Sequence, residues 1–160
     1  MAAGGPIYCF STYPVTAGNL FPVFLTAEMP EGLGWVASLP ADSTWRLFFR
    51  APMVLPSGTT AKLLMACHAN ATTGNAVIEV AWKSYGANEV PASADLTGEG
   101  DDTITFATTA YRETQVKRTL DADTIVAGEL IMMELRGKTT GSVWTLAANL
   151  AMQRPAIIWE

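Results

Sequence analysis

Apolar and polar residues alternate along most of the chain after residue 43. In TWRLFFR, Trp45, Leu47 and Phe49 fall on one face, with Arg46 and Arg50 opposite. In NAVIEVAWKSY, Ile78, Val80 and Trp82 share a face and Glu79 and Lys83 share the other. A period of two with one polar side predicts strands that set one face on a core and one nearer water. The pattern predicts strands over 44–50, 60–68 and 76–84. Pro52, Pro56, Ser57 and Gly58 break the first connection, and Asn70, Thr72, Thr73, Gly74 and Asn75 break the second.

Further runs predict strands over 103–109, 113–120, 129–136 and 142–152. Ile131, Met133 and Leu135 point one way there, with Glu134 and Arg136 the other. Residues 143–152 would also satisfy a helix, but Trp144, Leu146, Ala148, Leu150 and Met152 alternate, which favours a strand. Residues 87–102, rich in Gly, Ala, Asp, Glu and Ser, form a long loop, either a functional excursion or the carrier of a short helical turn. The apolar tail 155–159 (PAIIW) is expected to dock on a sheet or a neighbour. About eight strands at roughly ten-residue spacing predict an all-β antiparallel β-sandwich, with the jelly roll as the chosen form.

Residues 1–30 differ in texture. Pro6, Pro14, Pro22 and Pro30 recur between Tyr8, Phe10, Tyr13, Phe21 and Phe24. Proline excludes helix interiors and central strands, so the segment reads as an extended N-terminal arm, with a single sandwich domain over 31–160. Such an arm cannot bury its own aromatics; it lies along its own domain or along a neighbour.

The chain has 160 residues, enough for one domain with its own core. A net charge of −5 gives no electrostatic footprint for nucleic acid. No stretch approaches the ~20 apolar residues of a membrane helix, and the N-terminus lacks the basic and apolar regions of a signal peptide. Only 16% of residues are charged while 49% are hydrophobic. Such a surface is either covered in part by other subunits or built from Thr, Ser, Asn and Gly.

Candidate chemistry is sparse. Cys67 and His68 are adjacent, but neighbouring strand residues face opposite ways, so they do not form a nucleophilic pair. His68 is expected at a strand end, facing solvent or an interface, and Cys67 in the core. Glu99, Asp101 and Asp102 lack the liganding spacing of a calcium loop and read as a solvated acidic loop; no metal or cofactor site is expected. Asp95, Glu99 and Asp101 are available for glycosidase chemistry, but nothing singles them out. Among five tryptophans, Trp45 and Trp82 read as core. Trp35 and Trp159 have flanks that allow exposure to an interface or a sugar.

The run WRLFFRAPMVLPSG, then KLLMACHANATTGNAVIEVAWKSYG, then ELIMMELRG resembles small all-β structural proteins of tailed bacteriophages over about residues 40–137. It departs from them at Arg136-Gly137-Lys138, where an acidic Arg-Asp pair is expected. The resemblance implies a non-enzymatic virion protein on the capsid surface, made in the host cytoplasm. Its role there would be decoration, or cement, bridging subunits of the major capsid protein, with a homotrimer favoured. The alternative is a tail-tip or fibre module binding a host-surface glycan. On the first reading Tyr8, Phe10, Tyr13, Phe21, Phe24, Trp35 and Trp159 are the interface residues; nucleic acid and membrane are not expected partners.

Overall fold

The computed structural model describes residues 5–14, 22–23, 32–35, 43–107, 109–138 and 144–160. Eleven strands run through them: β1 Ile7–Tyr8, β2 Ser11–Pro14, β3 Pro22–Val23, β4 Gly32–Trp35, β5 Thr44–Arg50, β6 Ala61–Ala69, β7 Asn75–Tyr85, β8 Thr97–Thr105, β9 Thr114–Thr119, β10 Leu130–Gly137 and β11 Leu150–Trp159. One sheet has the order β3-β4-β11-β6-β9, with β1 also on β11; the other has the order β2-β5-β10-β7-β8. The pairs β4 with β11, β5 with β10, β6 with β9 and β7 with β8 nest within one another and fall in alternate sheets. That is jelly-roll connectivity, and all of these pairs are antiparallel. The protein is an all-β antiparallel sandwich.

The alternation sets the faces as expected. Trp45, Leu47, Phe49, Ile78, Val80, Trp82, Ile131, Met133 and Leu135 fill the core from one sheet. Leu63, Met65, Cys67, Leu150, Met152 and Ile157 meet them from the other. Side chains standing on two facing pleated surfaces interdigitate in this way.

Several boundaries differ from the sequence reading. β8 begins at Thr97, so the connection after β7 is shorter than expected and carries one 3-10 turn at Ser93–Asp95. This connection straps the outer face of its sheet. The Tyr85 hydroxyl donates to the Ala92 carbonyl at 3.0 Å, and Ser93 Oγ donates to Glu134 at 2.6 Å. Met132 lies on that outward face between Tyr85 and Glu134, and it is fully buried.

The last strand runs over Leu150–Trp159, not 142–152. Leu146 still reaches the core, which is why alternation appears there. The main chain at 145–146 instead donates to the Asn75 carbonyl, outside any ladder. Alternation reports side-chain burial, which a chain can achieve without pairing. Gly74, at φ +105°, lies so close that a Cβ would meet Leu146 Cα at 3.0 Å. The PAIIW tail docks on its own sheet: Trp159 pairs with Ala61, and a bulge between Gln153 and Ala156 accommodates Pro155.

The described part of the arm belongs to both sheets. Ile7 and Tyr8 pair with Ile157 and Ala156, while Ser11 to Pro14 pair with Phe48 to Trp45. Between them Cys9 N donates to Pro155 O at 3.3 Å and Phe10 N to Phe48 O at 3.0 Å. The segment thus crosses from one sheet edge to the other.

Candidate binding surface

In a jelly roll the connections β5–β6, β7–β8 and β9–β10 all lie at one end of the sandwich. In this chain each of them carries aliphatic or thioether side chains out into solvent. Met53 is 81% exposed, Val54 82%, Val90 83% and Val126 44%. Among the described residues the other exposed large hydrophobics are Tyr8 at 59% and Phe10 at 61%, on the segment that crosses between the sheets. Two apolar patches therefore stand on one molecule, one at a loop end and one along an edge.

The loop end is tied together by its main chain. Ala51 N donates to Glu129 O at 2.9 Å, and Gly128 N donates to Pro52 O at 3.0 Å. Arg50 Nη1 donates to Gly128 O at 3.1 Å. Gly128 has φ +75°, a backbone conformation that favours glycine, and the exposed Met53 sulfur lies over it, 2.8 Å from where a Cβ would stand. The β9–β10 connection is further held to β7: Ser84 N donates to Asp123 Oδ2 and Ser84 Oγ to Glu129 Oε2, each at 2.9 Å. Between the loops lies an open depression of about 460 Å³, lined in part by Met53, Tyr85, Gly86, Gly128 and Leu130.

The acidic cluster of the sequence is taken up inside the fold. Glu99 Oε1 accepts from Trp82 Nε1 at 2.5 Å and from the main-chain N–H groups of Asp121 and Ala122 at 2.6 and 2.7 Å. Arg118 Nη2 bonds Asp102 at 2.8 Å, and this bond pushes the guanidinium further up from its ordinary value. Lys138 Nζ lies 3.0 Å from Asp101 and 3.4 Å from Glu79. These carboxylates hold strands and loops in place. Asp95 is exposed in the 3-10 turn, away from that network. Among the described residues no three His, Cys, Asp or Glu side chains gather as a metal site.

His68 is a correction. It was expected at the surface and is 6% exposed, covered by the β8–β9 connection. Its Nδ1 meets the Tyr111 carbonyl at 3.2 Å, and Tyr111 N donates back to Ala69 O. Tyr111 holds φ +61°, a left-handed conformation uncommon for a bulky residue. Cys67 faces the core as expected, and burial pushes its thiol far up. A thiol and an imidazole on opposite faces of β6 form no nucleophilic pair.

The structure treats the expected interface residues unequally. Tyr8 and Phe10 are exposed, with the Phe10 ring 6.4 Å from that of Phe48. Trp159 is 7% exposed and belongs to the core, a second correction, because the tail completes the central part of a sheet. Tyr13 and Trp35 lie in strands whose main chain is described, and Phe21 and Phe24 lie outside the described residues. Reading the sequence missed Met53, Val54, Val90 and Val126. A signal was present: Met-Val-Leu stands between Pro52 and Pro56, and Val90 stands before Pro91, where a turn would ordinarily be polar.

The fold is a jelly-roll sandwich with two exposed apolar patches. No family model matches this chain, and no curated protein matches it. Among solved structures, the K3 cleaved adhesin domain of Lys-gingipain (Kgp) from Porphyromonas gingivalis w83 is similar with a TM-score of 0.48 at 11% identity, over 94% of this chain and 96% of that one. TmCBM61, solved in complex with beta-1,4-galactotriose, gives a TM-score of 0.38 at 12% identity, over 85% of this chain and 75% of that chain. At these values neither likeness bears on ligand or partner.

Proposed function

We propose that this protein is a structural virion component that decorates a phage head and bridges adjacent shell subunits. The observation that carries the reading is the pair of separate apolar patches. A bridge needs two contact surfaces on one rigid body, and here Tyr8 and Phe10 supply one while Met53, Val54, Val90 and Val126 supply the other. Exposed apolar groups of this kind mark interaction surfaces when they are grouped rather than scattered. A standard contact buries ~1,600 Å², and repetition around a homo-oligomer raises attachment through effective concentration. The trimer and the major capsid protein as partner are part of this proposal. The glycan reading has less support: Trp45, Trp82 and Trp159 are buried, and half-buried Trp144 turns its Nε1 onto the Leu146 carbonyl at 3.0 Å.

The test compares heads with and without the protein. Heads lacking it should release their genome at lower temperature or lower salt than complete heads. Restoring the Tyr8→Ser/Phe10→Ser variant should leave it weakly attached although folded. Stripped particles that are equally robust but fail to adsorb to cells would replace this reading with the glycan one.

A further inference from the structure

We propose that the depression at the loop end seats an extended protein segment presenting an aliphatic side chain beside a lysine or arginine. The proposal rests on the bridging role above and assigns the partner chemistry of its loop-end contact.

The apolar half of the argument is Met53, above 80% exposed on the lining of a ready-made depression, with exposed Val54, Val90 and Val126 on the connections at the same end. The three connections stand together because the jelly roll brings them to one end, and the depression is lined from all three, by Met53, by Glu89 and by Gly128. Main-chain hydrogen bonds already hold Pro52 to Gly128 and Ala51 to Glu129, so a guest meets a formed seat and orders little on entry. At about 460 Å³ the depression has room for a side chain of leucine size, with the Met53 thioether and the Glu89 and Glu129 carboxylates on its lining.

The polar half is charge. Glu89, Asp121, Asp123 and Glu129 stand on the connections at this end, against Arg50 and Lys83. Both cations are engaged within the chain. Arg50 donates to the Gly128 carbonyl, and Lys83 lies 3.8 Å from Glu89 and 4.9 Å over the Tyr85 ring. Among the described residues Glu89, Asp123 and Glu129 each accept one hydrogen bond, from Gly86 N, Ser84 N and Ser84 Oγ. A carboxylate has about four acceptor positions, so capacity is left for an ammonium or guanidinium group. A second copy docking end to end would oppose these carboxylates to themselves, and an anionic lipid surface would repel them. A sugar would find no exposed ring, since Tyr85 is 2% exposed with its hydroxyl on Ala92.

The experiment uses the full chain with methyl-labelled methionine, the Met53 resonance being assigned by its loss in Met53→Leu. Three blocked tripeptides serve as probes: Lys-Leu-Lys, Lys-Ser-Lys and Glu-Leu-Glu. The Met53 signal should move with Lys-Leu-Lys at least about tenfold more tightly than with either of the others, the scale set by burying one aliphatic side chain. An unmoved signal, or equal response to all three, overturns the proposal. So does a shift driven by protein concentration alone, which would mean a second copy, or by phosphatidylserine vesicles, which would mean a membrane. A parallel arm measures retention of Met53→Ser/Val54→Ser on phage heads. Loss from heads without tripeptide binding removes the partner chemistry and leaves the bridging role standing. Tripeptide binding with heads that never retain the wild-type protein does the reverse.

Discussion

The two open sides of the sandwich are closed by different means. On the side of β8 and β9, charged side chains span the gap. Glu99 on β8, which also takes the Trp82 indole N–H, accepts from the main-chain N–H groups of Asp121 and Ala122 just past β9, and Arg118 on β9 reaches Asp102 on β8. On the side of β1, β2 and β4, the main chain does the work. The segment through Cys9 and Phe10 crosses between sheets on backbone hydrogen bonds, and Trp45 donates its indole N–H to the Gly34 carbonyl at 2.9 Å. A closure made by side chains engages them, so the acidic cluster is tied into the fold. A closure made by main chain leaves side chains over, and Tyr8 and Phe10 are directed outward. Stability should therefore concentrate on the first side and contact function on the second.

The largest test of this contrast is Trp82→Ala, which should cost roughly 3–5 kcal/mol in denaturant unfolding. A loss below about 1 kcal/mol, the scale of a surface change, would mean that β7 presents its faces the other way. Next comes Glu99→Ala, which strands a buried indole N–H and should cost about 2–3 kcal/mol. Glu99→Gln keeps an acceptor and should lose clearly less; equal losses would show that charge, not acceptance, matters there. Arg118→Ala, at a pair 24% and 14% exposed, should cost about 1.5–3 kcal/mol. On the opposite side, Tyr8→Ser/Phe10→Ser should change stability by less than about 0.5 kcal/mol. A cost near that of Arg118→Ala would erase the contrast.

The smallest effect is a pH dependence. Hydrogen bonds from Lys117, then Lys62, hold the exposed Glu160 side-chain carboxyl below its ordinary value. A depressed folded value gives stability that is present above the ordinary carboxylate range and lost as pH falls through the folded value. The small stability gap between wild type and Glu160→Gln should therefore close on acidification below about pH 4. A gap that persists unchanged into acid would contradict this.

What was legible in advance was the face of each strand. Trp45, Leu47, Phe49, Ile78, Val80, Trp82, Ile131, Met133 and Leu135 are all core, as their alternation required. Strand ends were less legible. The 142–152 run alternates because Leu146, Leu150 and Met152 are buried, yet the ladder starts only at Leu150. His68 escaped because its cover comes from Tyr111, forty-three residues away. The surface patches were half legible: the aromatics near the N-terminus stood out by type, whereas Met53, Val54 and Val90 had only the weaker signal of apolar residues beside prolines in turns.

By itself, then, the sequence determined the all-β class and the inward residues of each central strand. These follow from a period of two, which is a local property of the chain. Only the tertiary structure decided that Glu99, Asp101 and Asp102 are structural, that Trp159 is core and that three loop tips share one end. Those depend on which strands become neighbours, and pairing partners in this fold lie up to 150 residues apart, as between Ile7 and Ile157. No local pattern encodes such a meeting, because each partner's sequence looks the same whether or not the other is there to cover it.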